Sequence, residues 1–409
     1  MGDILSQGGD GERGRWPGRL AAAVLVLLVA VVAVWRLPGR GHAPAAVTPS
    51  PVQAIAGTAA ADEADGIAGH GVPVPSSLRL PVAGVRPAWL APSTGHTVPI
   101  GGLPPDPSGY RFTRVGGGWA VQAEAAAGPG CGGCAGPALP VYFLASGARP
   151  AIPLGSADLV APAVAAGAVW LTSYPPAADV STAAGTARLA GAAGAAGARQ
   201  AGLAGAAGAV GAAQPPVRLP PGYVIKRATV RGLLLAPAIA GPGASDELWD
   251  PAAAQVSRVF PRVIAASATR VAWMPACARL CQVQVLDLAA GRQAAVRLPD
   301  GSSVASGAFS PSGRFLALQL SYPGAGDDGA LAIQLLVASS ASGRLTAVPG
   351  TSASSDALIG FGWPSGSDSL VAEFSFPGKV QVTSWQPGAS RLAVTAIRPG
   401  SGQDPLIIG

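Results

Sequence analysis

The 409-residue sequence contains no asparagine, only two lysines (Lys226 and Lys379) and only three histidines (His42, His70 and His96). No histidine follows position 96. Ser-His-Asp, Cys-His and histidine–metal arrangements are therefore excluded from residues 97–409. A GxSxG elbow, a phosphate loop with GK[ST] and an HExxH pair are also absent. Charged residues make up only 12% of the chain, and the net charge of +6 rests on singly scattered arginines. Without a basic stripe or interleaved aromatics, nucleic acid is not an expected partner. The 57 glycines and 40 prolines exclude a fold built from long helices. Many short strands joined by turns fit that load better.

Long apolar runs are scarce too, with one exception. Leu20 to Trp35 is an unbroken stretch of 16 apolar residues. Leu37 extends it if Arg36 snorkels, which brings the span into the range of about 17–25 residues that crosses a bilayer. Arg13, Arg15 and Arg19 precede the run, while Arg36 and Arg40 follow it. This bias predicts a cytoplasmic N-terminus. A cleaved secretory signal is the alternative, since Ala43-Pro44-Ala45 resembles a cleavage site. The expected organisation is a cytoplasmic tail over 1–19, a transmembrane helix over 20–37, a flexible Ala/Pro-rich stalk over 38–76 and a folded region over 77–409. The expected location is the cell membrane, single-pass, with the folded region outside.

That region repeats one unit: an apolar strand, a tight turn and a second apolar strand. Ala88-Trp89-Leu90 turns at Ser93-Thr94-Gly95 into Val98-Pro99-Ile100. Val283 to Leu288 turns at Gly291-Arg292 into Ala295-Val296, and Val380 to Trp385 turns at Pro387-Gly388 into Leu392 to Val394. Similar hairpins start at Val141, Leu248 and Ala332. A seventh would run from Val169-Trp170-Leu171 to Val217-Arg218-Leu219. A further apolar strand precedes most of them. This spacing predicts an all-β fold: a β-propeller of about seven (six to eight) four-stranded blades. Leu406-Ile407-Ile408 would pair with the first blade and close the ring. Residues 181–213 are Ala-rich with Gly at about every third or fourth position, which costs a helix about 1 kcal/mol per Gly. They are expected to form a disordered loop on one blade, with a binding loop as the alternative.

Ala308-Phe309-Ser310-Pro311-Ser312-Gly313-Arg314-Phe315-Leu316-Ala317 resembles the blade entry of WD-repeat and TolB-type propellers. Ser310, Pro311, Gly313 and Arg314 carry that turn, in which Pro fixes φ and Gly accepts φ > 0. The resemblance spans 260–397 clearly and 80–256 weakly. Ser312 stands where those families have Asp, and only one Trp-Asp pair, Trp249-Asp250, occurs. The resemblance implies an extracytoplasmic protein-binding module of actinobacterial-like envelope type.

Four cysteines form two close pairs, Cys131/Cys134 and Cys277/Cys281. Disulfides in an oxidising compartment are the leading reading. A redox CxxC, a four-cysteine zinc site and free thiols are the alternatives. No metal or cofactor is expected. Asp327-Asp328 reads as a solvated loop, with a cation or acid/base role as the alternative. Trp119, Trp170, Trp249, Trp273, Trp363 and Trp385 read as core rather than as a sugar platform. The function expected from sequence is a non-enzymatic, monomeric, envelope-binding module whose partner is an unknown envelope protein or glycan. The alternatives are a carboxylate-based envelope enzyme, a glycan-binding propeller, and a sensor acting through its helix.

Overall fold

A computed structural model describes Ile67 and residues 73–83, 86–105, 109–124, 137–145, 149–191, 215–239, 241, 243–275, 281–322, 332–354, 357–364, 367–376 and 379–397. All of them belong to one compact unit, Pro49–Gly409. The tail over 1–19, the apolar run over 20–37, most of the 38–76 stretch and Leu406 to Ile408 lie outside the described residues. Among the described residues, no helix is long and apolar enough to cross a membrane.

The strands form seven antiparallel sheets, the blades of a β-propeller. In chain order they span 80–99, 110–157, 159–218, 223–260, 263–297, 303–354 and 358–397. Five are four-stranded, each strand hydrogen-bonded to the next in sequence. Blade 1 has three strands among the described residues. Blade 6 gains a short extra strand, Ala353–Ser354, which pairs with Ala332–Ser339.

Burial falls from the second strand outward. Gly118–Ala123 is buried throughout, and so is nearly all of Leu370–Phe376. Such strands pack on both faces because each blade stands between two others. The fourth strands alternate little: Gln255–Phe260 is exposed at every residue except Phe260. First strands of neighbouring blades pack on one another, as Val263–Ala266 does on Ser303–Phe309 and Ser303–Phe309 on Leu358–Gly362. The first strands therefore line the centre of the ring.

Seven hydrophobic clusters fill the seven seams. Trp89 meets Trp119 between blades 1 and 2, and Val141 meets Leu171 between 2 and 3. Trp170 with Leu233 and Phe260 with Trp273 fill the next two. Val285 with Leu318 and Leu335 with Phe374 follow. Leu80, Leu90, Val371 and Val382 close the ring between blades 7 and 1. Among the described residues, no strand crosses that last seam; side-chain packing closes it. The stretch read as flexible stalk contributes here. Val74 is buried in the closing cluster, and buried Ile67 donates its N–H to Gln381 Oε1 at 2.7 Å.

The third blade differs from the sequence reading. Val169 lies in Ala168–Ser173, which pairs with Thr186–Gly191, and only that strand pairs with Val217–Arg218. Part of the Ala/Gly stretch is thus a strand: Ala187 is fully buried at the blade 3–4 seam. Residues 192–214 lie outside the described residues.

The Ser310-Pro311-Ser312-Gly313 turn joins the first two strands of blade 6. Gly313 has φ +69° and donates its N–H to Ser310 O at 2.8 Å. The turn also ties three blades together. Ser312 Oγ donates to Asp368 Oδ2 in blade 7 at 2.7 Å, and Arg270 of blade 5 donates to Gly313 O. Arg314 lies over the Phe315 ring.

Arg270 also pairs with Asp287 at 3.3 Å. The Ala290 N–H lowers the pKa of Asp287 first, and the charge of Arg270 and the Ala289 N–H add to the effect. A depressed folded pKa stabilises the protein above the unfolded value, about 4, and that contribution is lost as pH falls through the folded value. Thermal unfolding followed from pH 6 to pH 2 is expected to show a shallower acid loss for Asp287→Asn than for the wild type. Parallel curves would remove Asp287 from the acid response.

Candidate site at the ring centre

Four consecutive blades carry a bulge near the start of the central strand. The pairing shifts between Ile225 and Arg227, Val263 and Ala265, Val304 and Ser306, and Leu358 and Gly360. The extra residues are Lys226, Ile264, Ala305 and Ile359. Each lies within the first four residues of its strand, so all four sit at one end of the ring. A bulge leaves one residue out of the ladder and re-aims its side chain. Lys226 and Ala305 are exposed, Ile264 is half-buried, and Ile359 is 47% exposed despite its size.

Polar groups surround the blade 4 bulge. Lys226 Nζ pairs with Asp246 Oδ2 at 3.2 Å and donates to Val263 O at 3.0 Å. Asp246 is buried, and its Oδ2 also accepts the Val263 N–H at 2.9 Å. This carboxylate therefore pins blade 4 to the first strand of blade 5. Asp246→Ala leaves the Val263 N–H and the Lys226 ammonium without it. The Lys226 side chain is 40% exposed, which tempers the loss. The expected cost is about 2–4 kcal/mol, below the full figure for breaking a buried pair. Chemical denaturation measures it, and a loss under about 1 kcal/mol would mean that water replaces the carboxylate.

Tyrosines continue the network. Tyr223 O–H donates to Glu247 Oε1 at 2.8 Å, and this bond raises the Tyr223 pKa, with burial adding. Tyr174 O–H donates to Tyr223 O at 3.1 Å, while the Tyr174 N–H donates to Asp158 Oδ2 at 2.7 Å. Burial, helped by the Asp158 charge, pushes Tyr174 up to about 12. Both phenols thus stay protonated donors at neutral pH. Burial lowers Arg114, which lies 4.6 Å from the Trp119 ring centroid, and Arg227, each to about 10. Arg114 lies near the far end of Tyr110–Val115, so the bulged end of the ring offers the cations Lys226 and Arg227 together with apolar side chains. Among the described residues no group of three His, Cys, Asp or Glu could hold a metal. His96, the one described histidine, is exposed on the last described strand of blade 1.

The residues singled out from sequence lie elsewhere. The Ser310–Arg314 turn is at the opposite end of the central strand from the bulges. Both cysteine pairs fall between second and third strands, in blades 2 and 5, so their positions are equivalent. Cys131, Cys134 and Cys277 lie outside the described residues, as do Asp327 and Asp328. The six tryptophans are all buried core. Lys226, Arg227, Tyr223 and Asp246 were not singled out as site residues. Their one signal is the run Tyr223-Val-Ile-Lys-Arg-Ala-Thr229, where two adjacent cations break a strand's alternation.

No family model matches the sequence, and no curated protein matches it significantly. Solved structures do resemble the fold. Several of them are peptidases. A prolyl endopeptidase matches at 12% identity and TM-score 0.47, covering 94% of this chain and 56% of its own. An acylaminoacyl peptidase of Pyrococcus horikoshii matches at 8% and 0.48, covering 79% and 50%. The β-propeller domain of the Trilobed protease from Pyrococcus furiosus matches at 8% and 0.40, covering 71% and 86%. This chain spans about half the length of the first two. At these identities the likeness concerns the fold: a seven-bladed propeller. Neither the WD-repeat nor the TolB assignment is carried by these neighbours. The expectation of a non-enzymatic binding module is corrected as well, because the neighbours include prolyl endopeptidase, acylaminoacyl peptidase and tricorn protease.

Proposed function

We propose that this is a peptidase-associated propeller, which handles a peptide chain for hydrolysis carried out outside its own blades. The substrate class comes from the peptidases that the fold resembles. The site comes from the bulged end of the ring, and that observation carries the reading. Four consecutive central strands push out a residue at one level, one of them a lysine and two of them isoleucines. Beside them stand the Lys226 ammonium and the Arg227 guanidinium, whose remaining N–H groups can donate to peptide carbonyls. Among the described residues each central strand also has one edge without a β partner, where an extended chain finds backbone N–H and C=O groups. With no histidine after residue 96, a Ser-His-Asp triad would come from another domain or chain.

A photo-crosslinking residue at position 359 tests this, with position 98 on the exposed outer strand of blade 1 as the control. Reduced, unfolded casein is the probe. Crosslinks concentrated at 359 support the reading; equal labelling at both positions overturns it.

The same proposal places the propeller outside the cytoplasm, held by residues 20–37, with Cys131 paired to Cys134 and Cys277 to Cys281. The bonded state of Cys281 supports the second pairing. Alkylation of intact protein without reductant is expected to leave all four thiols unlabelled.

A further inference from the structure

Arg227 follows the blade 4 bulge directly and sits opposite Leu234 on the neighbouring strand. Ile225 and Ala228 pack into the seam with blade 3, while Leu234 packs into the seam with blade 5. Arg227 shares the face of Leu234, so it is directed to the blade 5 side. The residue is half-buried, and burial lowers its pKa to about 10. Half-burial with crowding by protein is what a side chain at the centre of a ring experiences.

The other charges nearby are already satisfied. Asp246 is held by Lys226 and the Val263 N–H, Glu247 accepts from Tyr223, and Arg262 donates to Val304 O at 3.0 Å. Among the described residues Arg227 makes no ion pair and no hydrogen bond. A crowded, uncompensated guanidinium is costly to fold around. Its planar fork fits a carboxylate in bidentate fashion. Lys226, the adjacent residue, is itself neutralised by Asp246, which leaves Arg227 as the unpaired cation.

We propose that Arg227 is the anchor of a carboxylate-binding site at the centre of the ring, on the seam between blades 4 and 5. The ligand is a molecule bearing a free carboxylate, from either a chain terminus or an acidic side chain. The site stands whether or not the propeller serves a peptidase.

Thermal unfolding of the full chain tests it, with N-acetylglycine and N-acetylglycinamide as a matched pair of probes. The wild type is expected to rise in Tm with the acid and to stay unchanged with the amide. Arg227→Met is expected to have a baseline Tm about 2–4 °C higher than the wild type, a shift typical of relieving a modest cost in a large domain. It is also expected to lose the response to the acid. Equal shifts with acid and amide overturn the proposal without any variant. So does a lowered baseline in Arg227→Met, the signature of a purely structural arginine, or an equal response to sodium sulfate. N-acetylglutamate α-amide, whose only carboxylate is on the side chain, separates the two sources. A response to it assigns side-chain carboxylates; a response to N-acetylglycine alone assigns chain termini.

Discussion

Phe260→Ala is expected to cost about 3–5 kcal/mol, the range for removing a buried aromatic ring. Phe260 ends the outermost strand of blade 4, where neighbouring residues face water. It is nevertheless fully buried, with its ring 5.2 Å from that of Trp273 in blade 5. Arg258 caps both rings, its guanidinium carbon 5.3 Å from each centroid. Truncation therefore opens a cavity inside a seam and removes the aromatic pair together. The adjacent Val259 is 54% exposed, so Val259→Ala is expected to stay within about 0.5 kcal/mol. Denaturant melts of the two variants give the comparison. If they cost the same, the seams are not where this propeller stores its stability.

Gly232→Ala is expected to be comparably severe for a backbone reason. Gly232 opens the second strand of blade 4 with φ +132°, a region that L side chains rarely adopt. An added Cβ would stand 2.3 Å from Trp249 O on the third strand. That oxygen belongs to the sheet itself, so relief requires the two strands to separate. Strain of this type costs about 1–3 kcal/mol before the contact is counted, so the expected loss is about 3 kcal/mol or more. Gly388→Ala is the control, since nothing lies within 4 Å of its added Cβ, although its φ of +91° keeps the conformational cost. A Gly232 variant no worse than the Gly388 one would show that the strands can yield.

The outer hairpins were legible because their signals are local. Trp89, Leu248 and Val283 stand in short apolar runs, and Gly95, Gly291 and Gly388 mark turns with positive φ. The central strands were missed for the opposite reason. Tyr223–Thr229, Val263–Ala266, Ser303–Phe309 and Leu358–Gly362 each carry a bulge, which breaks the period of two. Among the described residues each also has one edge without a β partner, so Lys226, Arg227 and Ser306 are tolerated there. What hides these strands from pattern reading also makes them the candidate site. The Thr186–Gly191 strand was hidden differently, since Ala and Gly give no amphipathic signal and only its pairing with Ala168–Ser173 orders it.

The seven clusters have a further consequence. No blade possesses a core of its own; every cluster belongs to two blades at once. The ring has no internal domain boundary, and removing a blade would strip apolar cover from both of its neighbours. Growth of such a protein is therefore confined to the connections between strands, and the sequence already has its longest Ala/Gly-rich stretch between Thr186–Gly191 and Val217–Arg218.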